Sequence, residues 1–272
     1  NLSNGSESAP ALIFNSDADT GIFRGGSNTL VLTAGASNRF YVDPNTHLGT
    51  LTAGTSNLAL GVNAGNSIQS GGNFNTVVGD EAGTAITTGD DNVAVGFNSL
   101  AANTTGASNV AVGRGSLDAN TTGANNTAVG DNTLGANTTA SNNVALGSQA
   151  LVTNTTGAQN IAIGHSALLS NTTAEYNVAV GFDALGDNTT ASYNTALGGN
   201  SLKVNTTGSL NTGVGYGALF DNTTGANNTS VGYLSLENNT TASNNTAVGK
   251  SSLSANTTGA GNSAFGINSL LS

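Results

Sequence analysis

Few side chains in this chain are equipped for chemistry. His47 and His165 stand in unrelated contexts and there is no cysteine, so neither a paired-histidine nor a thiolate metal site is expected. Asp17-Ala18-Asp19-Thr20-Gly21 has the look of an acidic loop. A calcium loop needs several oxygen ligands at set intervals, and the downstream acid is missing; the segment reads as a turn. Asp90-Asp91 reads as a solvated corner in the same way. Serine and threonine are plentiful, but their acidic and histidine partners are scattered singly, so no nucleophile–base set forms. Paired carboxylates for glycan hydrolysis would have to meet across chains, and nothing points to them. No catalytic, metal-binding or cofactor-binding residue is expected. The remaining candidates are aromatic: Phe97, Tyr176, Phe182, Tyr193, Tyr216 and Tyr233. Tyr176 and Tyr193 are 17 apart, as are Tyr216 and Tyr233. Exposed aromatic rows can bind sugars and so contact a receptor. They can equally be ladders or contacts between chains, which stacked identical side chains favour.

That spacing of 17 belongs to the whole chain. From Asn92 the sequence reads NVAVGFNSLAANTTGAS, then NVAVGRGSLDANTTGAN from Asn109, and the opening Asn recurs every 17 residues to Asn262. Two irregular copies precede this run, from Asn57 and Asn75. A fixed period over so many copies signals a solenoid. The rule is N-[VT]-A-V-G-x-x-[SA]-L-x-x-N-T-T-[GA]-x-x. Positions two and four share one face of a strand and position three takes the other. Position four is always apolar, from Leu60 to Phe265, and position nine is Leu from Leu100 to Leu270; these read as the two core anchors. Position two suits a β-branched slot at the core's edge. Position three is small, which implies close packing on a second face. Position five is always Gly, as a left-handed corner demands. The recurring Asn-Thr-Thr reads as turn chemistry carrying an amide ladder through Asn103, Asn120 and Asn137. Asn-Thr-Thr is also a glycosylation acceptor, but glycans one strand spacing apart would crowd each other.

The expected fold is therefore all-β: a parallel β-solenoid or β-roll with one coil per copy over 57–272. Each coil offers few apolar side chains against the entropy of ordering 17 residues. Self-association is expected, as a homotrimer packed through the small residues at positions three and eight. The chains either coil separately or wind around each other. Residues 1–43 lack the repeat and read as a small β-meander, with strands at 11–14, 21–24, 29–33 and 39–42. Residues 44–56 read as a linker.

Composition narrows the function. Only 5 of 272 residues are Lys or Arg and the net charge is −10, which disfavours nucleic acid and anionic membranes. No apolar run is long enough to enter a bilayer as a helix. The absence of Met suggests a processed product or a fragment.

Two segments carry a resemblance. PALIFNSDADTGIFRGGSNTLVLTAGASNRFYV resembles a segment of bacteriophage tail fibres of the form F-x-x-D-x-x-T-G-I-[FY]-R, here Phe14, Asp17, Thr20, Gly21, Ile22, Phe23 and Arg24. The NTAVG-x-x-[SA]-L-x-x-NTTG copies are similar to repeats in such fibres, often followed by a self-cleaving chaperone, which would lie beyond Ser272. The NVAVG-x-x-S core is also similar to the shorter repeat of trimeric autotransporter adhesin heads, which are β-rolls. The resemblance implies a non-enzymatic, extracellular fibre segment of a virion. Its partners would be further copies of itself, other tail components, and a host cell-surface glycan or protein. A bacterial trimeric surface adhesin is the alternative. An ice-binding solenoid is a third, suggested by the threonine rows.

Overall fold

The computed structural model describes residues 4–6, 8–14, 17–26, 29–33, 38–42, 48–49 and 54–270. Thirteen three-residue strands, β6 (Leu58–Leu60) to β18 (Ser263–Phe265), form one parallel sheet in chain order. Register is one copy to the next: Val93 faces Val110, Ala94 faces Ala111 and Val95 faces Val112. One copy thus makes one coil, and each strand's neighbours come from the same chain. No helix occurs among the described residues.

The backbone reverses at four left-handed positions per coil. In the coil from Asn92 they are Gly96 at φ +132°, Asn98 at +60°, Leu100 at +52° and Ser108 at +57°. Asn tolerates this region. At position five a side chain is excluded outright, because a Cβ on Gly96 would stand 2.6 Å from the Gly113 carbonyl oxygen. Leucine at position nine adopts it against preference, at a cost of about 1–2 kcal/mol. Burial holds it there: Leu100, Leu117, Leu134 and their equivalents to Leu236 are fully buried.

The strand faces are the reverse of the sequence expectation. Position three fills the interior, with Ala94, Ala111 and Ala128 fully buried. Positions two and four point outward and are half-buried or exposed, Leu60, Ile161 and Leu197 among the exposed. Position eight is interior as well, as Ser99 and Ala150 show, so positions three and eight offer no surface to a partner chain. The cause is cross-section. A 17-residue coil encloses one Leu, two Asn and little besides, so only a small residue fits opposite, Ala in most regular copies and Gly213 or Ser230 in two. The irregular copies confirm the volume limit. Val77 replaces Ala at position three, and Gly83 replaces Leu at position nine. A Cβ on Gly83 would stand 2.6 Å from Val77 Cγ1 and 2.8 Å from Ile86 Cδ1.

Ahead of the coils, β1 (Leu12–Phe14), β2 (Asp17–Gly26), β3 (Thr29–Thr33), β4 (Asn38–Val42) and β5 (Leu48–Gly49) form an antiparallel sheet in chain order. Phe23 and Val31 are buried on one face, and Leu12, Ile22, Leu30 and Leu32 are exposed on the other. Asp17 to Gly21 is strand rather than turn: Asp17 pairs with Phe14 and Gly21 with Ile13. Gly21 permits this pairing, since a Cβ there would strike the Leu12 carbonyl. The linker contains a fifth strand, with Leu48 opposite Val42.

Candidate binding surface

Two amide ladders run through the coil interior. At position one, the Asn109 backbone N–H and Nδ2 both donate to Asn92 Oδ1, at 3.0 and 3.2 Å. At position twelve, Asn120 Nδ2 donates to Asn103 Oδ1 at 2.9 Å. Both ladders converge on one carbonyl: Asn109 Nδ2 and Asn120 Nδ2 donate to Gly123 O at 2.9 and 3.0 Å. The sequence signalled the second ladder but not the first, although its Asn opens every copy. Buried amides are tolerable only when so paired. The same pairing removes Asn103 and its equivalents as glycosylation acceptors, since their nitrogens are enclosed and already donating. Of each Thr pair, the first hydroxyl is also committed: Thr104 Oγ1 donates to Thr121 O at 3.1 Å and Thr121 Oγ1 to Thr138 O at 3.0 Å. Only the second, as at Thr105 and Thr122, forms an exposed row.

The aromatic candidates are all exposed, and most are stacked. On position seventeen, Tyr176 and Tyr193 stack with centroids 5.0 Å apart and planes 5° from parallel. On position six, His165 stacks on Phe182 at 5.7 Å and Tyr216 on Tyr233 at 5.8 Å. Gly199 interrupts the column between them. Tyr216 leans over it, with Cδ2 standing 3.5 Å from where a Cβ would be, and its hydroxyl accepts from Asn200 Nδ2 at 3.2 Å. Lys250 Nζ caps the far end, 5.9 Å from the Tyr233 centroid. Stacked rings turn their faces to one another, so the columns show solvent mainly their edges. A sugar packs on a ring face, so these columns read as ladders. Phe97 is the exception: it is exposed and has no ring partner among the described residues.

Charged residues occupy the corners. Arg114 forms a bidentate pair with Asp131, Nε to Oδ1 at 2.8 Å and Nη2 to Oδ2 at 3.0 Å. Lys203 Nζ lies 2.7 Å from Asp183 Oδ2. That hydrogen bond raises the Lys203 ammonium above its ordinary pKa. Asp118 is raised by burial, an effect partly offset by backbone N–H groups. Asp90 is not merely solvated: its Oδ1 accepts from the Asn73 N–H at 2.6 Å. His165 is exposed, its Nδ1 2.9 Å from Ser166 Oγ. His47 lies outside the described residues. No cluster of three or more His, Cys, Asp or Glu side chains poised for a metal occurs among the described residues. The outward strand face is continuous across the thirteen strands. Its 26 positions in thirteen strands hold Val, Ile, Leu, Thr, Ser or Phe and no charge. No protein-family model, curated protein or solved structure matches the chain.

Proposed function

We propose that the chain is a structural segment of a homotrimeric fibre, of the bacteriophage tail-fibre kind, that holds receptor-contacting surfaces away from a virion. The observation that carries this is the outward strand face. Soluble proteins rarely leave long apolar strips open, and this one runs uncharged along the sheet. Thirteen strands at about 4.8 Å spacing give a strip about 60 Å long. At about 10 Å width it approaches the roughly 800 Å² per partner of a specific interface. Packing three such faces around an axis would cover Val95, Val112, Leu146 and Val180 without opening any coil. The fibre's role is then mechanical, and stiffness comes from in-register coils.

Sedimentation equilibrium at micromolar concentration tests this. A trimer is expected, and Leu146→Asp with Val180→Asp should yield a monomer with unchanged β-sheet circular dichroism, because both side chains lie outside the coil. A folded wild-type monomer would overturn the trimer. Immunogold labelling of native particles tests the setting: label on cell surfaces instead of virion tails would favour the adhesin, and strong thermal hysteresis would favour ice binding.

A further inference from the structure

Besides a recess at the last described coil, between Leu253 and Leu270, one corner along the stack is open. A recess of about 300 Å³ is lined by Phe97, Asn98, Arg114, Gly115, Asp118, Asp131, Asn132 and Gln149. These residues occupy positions six, seven and ten of neighbouring coils, none of them on the outward strand face. The recess opens where one side chain is missing. Position seven carries Asn98, Asn132 and Gln149 in nearby coils but Gly115 here. Elsewhere such gaps are closed by a neighbour: a Cβ on Gly217 would stand 2.5 Å from Leu234 Cδ2, and Tyr216 covers Gly199. At Gly115 the nearest atoms to that place are Asn132 Oδ1 at 3.6 Å and Asp118 Oδ2 at 4.0 Å. The gap therefore stays open and is ringed by polar atoms.

We infer that this recess binds a neutral pyranose unit of a cell-surface glycan. Sugar hydroxyls both donate and accept, and the lining supplies both functions. Asp118, Asp131 and Asn132 offer acceptors, and Asn98 and Gln149 offer amide donors. Arg114 uses two of its five N–H groups on Asp131. Phe97 lines the recess, is exposed and has no ring partner among the described residues, so it can offer apolar ring surface to a pyranose. Charge selects the class. Two carboxylates against one guanidinium leave the rim slightly negative, which disfavours an anionic sugar, and the guanidinium disfavours a bare cation. The volume suits one ring, at the lower limit of small-molecule pockets. Three copies in a fibre would present three such recesses, so weak single-site binding would gain from multivalency.

This deepens the reading of the chain as an attachment fibre, and the test separates the two. Saturation-transfer NMR is run with the methyl glycosides of glucose, galactose and mannose. N-acetylneuraminic acid is the anionic comparison. At least one neutral glycoside should saturate with a dissociation constant of about 1–10 mM. Gly115→Asn refills the gap with the residue that neighbouring coils carry at the same left-handed φ, so the coil stays folded. It should weaken binding at least about tenfold, as should Phe97→Ala, while Tyr216→Ala leaves it unchanged. Absence of saturable binding by every neutral glycoside, equal binding by Gly115→Asn, or a preference for the anionic sugar would each overturn the inference. Binding by a chain that sediments as a monomer would uphold the recess while sinking the trimer.

Discussion

Asp118 illustrates what a side chain gives up to line a recess. Burial raises its carboxyl above the ordinary 3.8, so folding disfavours its charged form. The penalty is present above the raised folded-state pKa and disappears below the unfolded value. Asp118→Asn should therefore stabilise the chain modestly at pH 7, partial exposure screening the effect. The advantage should fade as pH falls towards 3.8. Urea midpoints at pH 7 and pH 3.5 check this; a substitution that destabilises at pH 7 would refute it. The same variant loses an acceptor in the recess, so a gain in stability with a loss of sugar binding would mark a residue kept for contact rather than for folding. Leu100 represents the opposite case, a residue held in a disfavoured backbone conformation wholly by the interior it fills.

At the scale of the coil, the corner glycines are unequal. Gly96 sits at φ +132° against the Gly113 carbonyl, in a region essentially closed to other residues. Gly96→Ala should cost at least about 2–3 kcal/mol. Gly106→Ala should cost less than Gly96→Ala: a Cβ there also meets a carbonyl oxygen, that of Gly123, so the turn must shift, but Ala140, Ala174 and Ala191 at the equivalent position show that such a shift is accommodated. Thermal unfolding followed by circular dichroism separates the two, and equal losses would mean that position five is not special. Period, corner glycine, buried Leu and the Asn103 ladder were all legible in the sequence, because each is a fixed residue type at a fixed place. The faces of the strand were not. Alternation shows that positions two and four share a side, and only the coil's narrow interior decides which side is inside. Asp17 to Gly21 misled for a related reason: turn-forming residues were present, but pairing with β1 outweighed them. The recess was illegible because it opens where a single copy carries Gly115, and the residues that face across it lie in separate copies, far apart in sequence.

For the molecule as a whole, each coil touches only the coils before and after it, so stability should accumulate coil by coil. Deleting residues 228–244, one full copy, should leave a folded chain with a melting temperature within a few degrees of the original. Deleting only 228–243 would set every later Gly, Leu and Asn out of line with its ladder, and the coils beyond should unravel. Limited proteolysis with circular dichroism distinguishes these outcomes, and equal tolerance of both deletions would contradict the in-register stack. Since Val93 meets Val110 and Val110 meets Thr127 by the same step, the upper and lower surfaces of a coil are interchangeable. A duplication of seventeen codons would therefore splice in without a scar, lengthening the rod by about 4.8 Å. Reach then becomes a digital quantity, a tally of copies, and the recess at Gly115 becomes a mark on a ruler. Its height can be reset by gene duplication alone, with no change to any residue that forms it.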